Sequence, residues 1–135
     1  MTIQLSVAVR NARLDAIEST IGTSAILKIR TGAAPANVAA ADSGTVLATL
    51  NLPSDWMAAA SSGSKAMSGT WEDASADSSG TAGHFRLYAS DGTTCHMQGS
   101  ITATGGGGDM TLDNVVLAEG QAFSITTFTL TDGNA

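Results

Sequence analysis

The chain is poor in the residues that carry covalent, redox and metal chemistry. Cys95 is the only cysteine in 135 residues, which excludes an intrachain disulfide and any site built from several thiolates. His84 and His96 are the only imidazoles. Charged residues make up 13% of the sequence, about half the ~25% of an ordinary soluble domain. Positive charge is scarcest: six Lys and Arg stand against twelve Asp and Glu, and this net charge of −6 argues against nucleic acid as a partner. No run approaches the roughly 18 apolar residues of a membrane span. The opening MTIQLSVAVRNAR lacks a basic stretch followed by a long apolar run, so the expectation is synthesis and folding in a reducing cytoplasm without export.

The apolar fraction of 43% is enough for a core, and the length suits a single domain. Low charge together with 15 glycines fits either surface lost to neighbouring subunits or a plain β domain with small polar side chains. The charge is unevenly divided. Residues 1–30 carry Arg10, Arg13, Lys28 and Arg30 against Asp15 and Glu18. Residues 31–135 carry only Lys65 and Arg86 against ten acids. This division marks 1–30 as a helix and first strand able to serve as an attachment segment, and 31–135 as a β body.

Ser6 is placed to cap a helix over 7–21, with Val7, Leu14, Ile17 and Ile21 on one face and Gly22 as its stop. Strands are expected at 25–30, 45–52, 65–71, 110–118 and 121–131, with a loop at 31–44 and an acidic loop at 72–82. Ser54-Asp55 can cap one helical turn that carries Trp56 and Met57 into the core. In the hairpin over 83–101, Phe85 and Leu87 alternate with His84, Arg86 and Tyr88. A three-residue loop Ser90-Asp91-Gly92 with Gly92 at positive φ pairs Leu87 with Cys95, Phe85 with Met97, Arg86 with His96 and His84 with Gln98. The fold class that follows is mainly β: an antiparallel β-sandwich or jelly-roll-like domain behind an N-terminal helix.

No motif in the chain carries chemistry at the spacing that chemistry needs. Gly105–Gly108 lack the Lys-Ser/Thr of a phosphate loop, and Ser62-Gly63-Ser64-Lys65 lacks the companion elements of a Ser-x-x-Lys enzyme. Glu72, Asp73 and Asp77 fit no calcium-loop spacing, and two histidines without a third ligand make a poor zinc site. No Gly-x-Ser-x-Gly elbow occurs. The expectation is therefore no catalytic residue, metal or cofactor. Two binding surfaces are expected instead: Arg10, Arg13, Lys28 and Arg30 for attachment, and the strip His84, Arg86, Tyr88, His96 and Gln98, either a ligand or neighbour face or an ordinary solvated hairpin face.

The segments AVRNARLDAIESTIG, LKIRTGAAPA, ADSGTVLATLNLPSDWM, GTAGHFRLYASDGTTCHMQG and FTLTDGNA resemble a family of small proteins encoded in the structural-gene regions of tailed bacteriophages. The resemblance spans nearly the whole chain and implies a virion component. Small β proteins with an extra N-terminal element look like the cement or decoration proteins of phage heads. These bind where capsomers meet, commonly as trimers, on the outside of the shell. That implies the major capsid protein and sister copies as partners, without nucleic acid or membrane. The alternative is a receptor- or carbohydrate-binding module of a tail or head fibre that uses the hairpin strip. Aromatic residues at only 4% favour cement.

Overall fold

The computed structural model describes residues 3–133; residues 1–2 and 134–135, at the ends of the two expected parts, lie outside the described residues. The chain is mainly β, with one N-terminal helix and a curled, antiparallel-rich sheet. Helix α1 runs Val7–Ile21. The strands are β1 (Ile26–Thr31), β2 (Val46–Asn51), β3 (Ser64–Ala66), β4 (Trp71–Asp73), β5 (Gly80–Tyr88), β6 (Cys95–Ala103), β7 (Met110–Leu112), β8 (Val116–Leu117), β9 (Phe123–Ile125) and β10 (Thr129–Thr131). The main sheet has the order β2-β1-β5-β6-β7, with β8 paired to β5. β6 and β7 run parallel, and two separate ribbons form from β3 with β10 and from β4 with β9.

The helix begins and ends as its flanking residues dictate. The Ser6 hydroxyl accepts from the Val9 N–H, and Gly22 closes the last turn at φ 93 by donating to the Glu18 carbonyl. Leu14 and Ile21 are buried and Ile17 packs partly against the core, but Val7 stays 46% exposed. The expected stripe therefore holds only from the second turn onward.

Period-two alternation sorts the central strands into two faces. On the apolar face, Leu50, Leu27, Leu87 and Met97 form one cross-strand row, and Ala48, Ile29, Phe85 and Gly99 form the next. Gly99 is small for a reason: a Cβ there would lie 2.7 Å from the Phe85 ring. Phe128 packs edge-on against Phe85 at 5.6 Å, then Trp71 against Phe128 at 5.8 Å and Trp56 against Trp71 at 6.1 Å. This aromatic chain joins the ribbons to the sheet. Both indoles are buried but satisfied, Trp56 donating to the Gly22 carbonyl and Trp71 to those of Trp56 and Ser68.

Several sequence expectations need correction. The strand over 65–71 is two strands, split where Gly69 adopts φ +71. The strand over 110–118 is likewise two, because Asn114 turns its side chain onto the Val116 N–H. The strand over 121–131 breaks so that Phe128 can enter the core. No helical turn forms at Ser54, although Trp56 and Met57 are buried as expected. In the hairpin, Leu87 pairs with Met97, Phe85 with Gly99, Arg86 with Gln98 and His84 with Ser100. Asp91 explains the shift. Its carboxylate accepts the Thr93 and Thr94 N–H groups and the Thr94 hydroxyl, and so draws one more residue into the loop. A register irregularity between Leu87 and Tyr88 then returns Met97 to the apolar face and leaves Cys95 opposite Tyr88.

Gly92 sits at φ +71 in that loop, as the bulged turn requires. Gly92→Val places a β-branched side chain in the left-handed region and is expected to cost roughly 1–3 kcal/mol. Denaturant unfolding of the variant beside the parent measures it; an unchanged midpoint would show that the turn does not depend on glycine at this positive φ.

Candidate functional site

The polar face of β1 and β5 carries Lys28, Arg30, His84, Arg86 and Tyr88, with Lys28 opposite Arg86 and Arg30 opposite His84. The sequence leaves open whether this face meets solvent or a ligand. Instead, residues 32–44 fold across it, and His84, Arg86 and Tyr88 are each no more than 1% exposed. This corrects the reading of the strip as a solvated or ligand-accessible surface. His96, placed with these residues from sequence, lies on the exposed side of β6, because the register irregularity turns it out. Gln98 is half-buried and donates to the Pro35 carbonyl.

Asp42 is the centre of the covered face. Its Oδ1 accepts from Arg86 Nη1 at 2.6 Å and from the Tyr88 hydroxyl at 2.6 Å, while Oδ2 accepts from Arg30 Nη2 at 3.0 Å. Backbone carbonyls of the crossing segment take most remaining donors. Arg86 reaches those of Ala40 and Val38, Arg30 those of Ser43 and Gly44, and His84 Nδ1 donates to that of Gly32 at 2.9 Å. Arg86 Nε also donates to Cys95 Sγ at 3.2 Å. Arg30 Nε and His84 Nε2 are buried without a hydrogen-bond partner.

These contacts move the ionisations. Partial burial works to raise the Asp42 carboxyl, but the Tyr88 hydroxyl, Arg30 and Arg86 outweigh it and hold the group below its ordinary value. Burial first, and then its bond to the Asp42 carboxylate, push the Tyr88 phenol up to about 12.

A second buried cation lies under the helix. Lys65 is 2% exposed, and its ammonium donates to Asp15 at 2.7 Å, Glu18 at 2.8 Å and the Ala58 carbonyl at 2.8 Å. All three protons are engaged, so the Ser-x-x-Lys segment holds no free base. Burial pulls the Lys65 ammonium down, but its bonds to Asp15 and Glu18 reverse the sign and raise it. A cleft of about 520 Å³ lies alongside, lined by Asp15, Glu18, Asp55, Met57 and Lys65.

The four residues expected as an attachment surface are dispersed. Arg10 donates to the Asp132 carbonyl, and Arg13 pairs with the Asp132 carboxylate at 3.2 Å while remaining largely exposed. Lys28 donates to the Gly92 carbonyl and lies 5.0 Å from the centre of the Tyr88 ring. Arg30 belongs to the Asp42 network. Two of the acids weighed for calcium, Asp73 and Asp77, turn onto β2, accepting from the Thr49 N–H and hydroxyl. Among the described residues no group of three His, Cys, Asp or Glu is arranged to hold a metal ion. Gly106 and Gly108 pack on Thr102 and close the tight connection from β6 to β7.

Asp42 and the Asp15–Lys65–Glu18 triad escape a reading of the sequence by motif. A local signal exists for both: Arg86 and Lys65 are the only cations in residues 31–135, and Asp42 is the only charge between Arg30 and Asp55. Comparison with protein-family models, curated proteins and solved structures gave no match.

Tyr88 is the only tyrosine, so its ionisation can be read by ultraviolet absorbance on the intact protein. The phenol is expected to titrate near 12, against about 10 for a free tyrosine. Because the folded value is the higher, the stability it lends is complete below pH ~10 and is lost as pH rises from there through the folded value. A transition near pH 10 while the protein is still folded would contradict the burial of the phenol against Asp42.

Proposed function

We propose that the protein is a structural component of a tailed-bacteriophage virion, a cement or decoration protein on the capsid exterior. In this reading it seats on the major capsid protein beside sister copies, as a trimer, and performs no catalysis. The same reading takes the two ribbons as the second layer of a jelly-roll-like sandwich. The sequence resemblance supplies the virion context, and one structural observation supports attachment through the N-terminal end. Of the five large apolar side chains most exposed among the described residues, Ile3, Val7 and Val9 fall within seven residues of one another at the start of the chain, Ile3 at 83% exposure. Such exposure at one end of a domain favours contact with a partner.

The attachment surface in this proposal differs from a separable basic foot. α1 is bound to the body through buried Leu14 and Ile21, the Lys65 triad and the Asn11 side chain, which accepts from the Gly63 N–H. The fibre-module alternative relies on the hairpin strip as its ligand face, and His84, Arg86 and Tyr88 of that strip lie under residues 32–44.

Labelling intact virions with an antibody to this protein tests the assignment: cement predicts label over the shell, whereas label confined to tail or fibres, or none, refutes it. Ile3→Asp combined with Val7→Asp should leave the Tm within a few degrees, since surface changes usually stay within about 0.5 kcal/mol. The variant should decorate protein-free shells at much lower occupancy. Undiminished occupancy would remove the N-terminal end from the interface.

A further inference from the structure

Residues 32–44 differ from the rest of the body in how they are held. None of them is buried, so they contribute almost nothing to the apolar core. Their ends are drawn together where the Thr31 N–H donates to the Thr45 carbonyl and the Thr45 N–H to the Thr31 hydroxyl, which makes the segment an Ω-type loop. Gly32 at φ +76 and Gly44 at φ +70 stand at its two ends. What fastens it to the sheet is polar: the Asp42 carboxylate and the carbonyls of Gly32, Pro35, Val38, Ala40, Ser43 and Gly44. A surface segment with few apolar contacts and polar ties is the kind that opens without global unfolding.

The face beneath it is built as a receptor. The Arg30 and Arg86 side chains are 7% and 1% exposed, yet the carboxylate they bind is 41% exposed and so reachable from solvent. Its two oxygens are read separately, one by Arg86 and Tyr88 and the other by Arg30. Arg86 and Gln98 also read peptide carbonyls on the N-terminal side of that carboxylate. Two further buried polar atoms on directly opposed residues, Arg30 Nε and His84 Nε2, remain unpartnered.

We propose that residues 32–44 form a lid that lifts as a unit about Gly32 and Gly44, and that the face under it is a carboxylate-binding site which Asp42 fills from within the chain. The ligand class is an acidic peptide segment, because the face reads one carboxylate together with the peptide carbonyls that precede it. Asp42 is tethered beside the site and so outcompetes a free carboxylate while the lid is closed. The inference concerns a different surface from the N-terminal end and does not depend on the virion assignment.

Two measurements on the full chain test it. In wild-type protein carrying 3-fluorotyrosine at Tyr88, fluorine relaxation dispersion should report exchange between a dominant closed state and a minor open state. In Asp42→Gly, sodium acetate should raise the Tm more than sodium chloride at matched ionic strength, whereas the wild type responds equally to both salts. Adding Arg86→Gln should abolish the acetate preference. A peptide spanning residues 35–42 should bind the Asp42→Gly protein at least ~10-fold more tightly than the same peptide with its Asp42 amidated by Asp42→Asn, as a charge-assisted bond implies. Absence of exchange at Tyr88 overturns the lid, and an acetate response no greater than that to chloride overturns the carboxylate site. If Asp42→Gly folds in acetate but not in chloride, the site is supported. If it folds in neither, the wild-type relaxation measurement decides the proposal alone.

Discussion

Two guanidinium groups enclosed on one face of a sheet are tolerable only if a negative charge enters with them. Arg30 and Arg86 are in that position, and Asp42 is the only carboxylate that touches them among the described residues. Removing a cation from water costs several kcal/mol, recovered only when geometry and hydrogen bonding are good. Here the recovery depends on one side chain of a loop otherwise made of Gly, Ala, Pro, Asn, Val and Ser. The path of residues 32–44 follows from this constraint. The segment must cross β1 and β5 at the height where Asp42 reaches both arginines and Tyr88, and its carbonyls then meet the donors that remain.

The opposite face of the same strands obeys a different rule. Leu27, Ile29, Phe85 and Leu87 need only volume and proximity, which the aromatic chain from Phe128 through Trp71 to Trp56 supplies. One sheet thus carries a non-directional apolar interface on one side and a directional, charge-assisted one on the other. The helix repeats the pairing on a smaller scale. Leu14 and Ile21 provide apolar contact, while Lys65 with Asp15 and Glu18 sets where the helix rests. Each of the buried cations Arg30, Arg86 and Lys65 has at least one carboxylate that keeps access to solvent, which limits the burden of charge burial.

Local pattern reveals local structure here, and long-range closure stays hidden from it. Ser6 and Gly22 mark both ends of α1 because capping involves neighbours three or four residues away. The alternation from His84 to Tyr88 shows which side chains share a face, since the pleat has period two. It does not show which face is covered. That depends on a loop more than forty residues upstream, and within the hairpin only the isolated cation Arg86 points to it. The register escapes the pattern for a related reason. Asp91 acts as a side-chain cap on Thr93 and Thr94, which changes the loop length without changing the hydrophobic alternation, so a two-residue shift leaves every apolar residue but Cys95 on its expected face. The short strands β3, β4, β9 and β10 look longer in the sequence because their breaks serve tertiary packing, Gly69 beside the Pro53 ring and Phe128 into the core.

The low charge of the chain acquires a structural meaning from these arrangements. Of the six basic side chains, Arg30, Lys65 and Arg86 are buried, and Arg10 and Lys28 are partly buried and bonded to backbone carbonyls. Arg13 alone is largely exposed, and it is already paired with Asp132. Positive charge therefore works mainly inside the molecule, fixing the loop and the helix on the sheet, while acidic residues keep more of the surface. A molecule of this kind presents a negative exterior with little free cation to attract an acidic partner over distance. The attachment proposed for the N-terminal end would then rest on short-range apolar packing by the exposed Ile3, Val7 and Val9 more than on electrostatic steering, and such packing persists at ionic strengths that screen exposed charges.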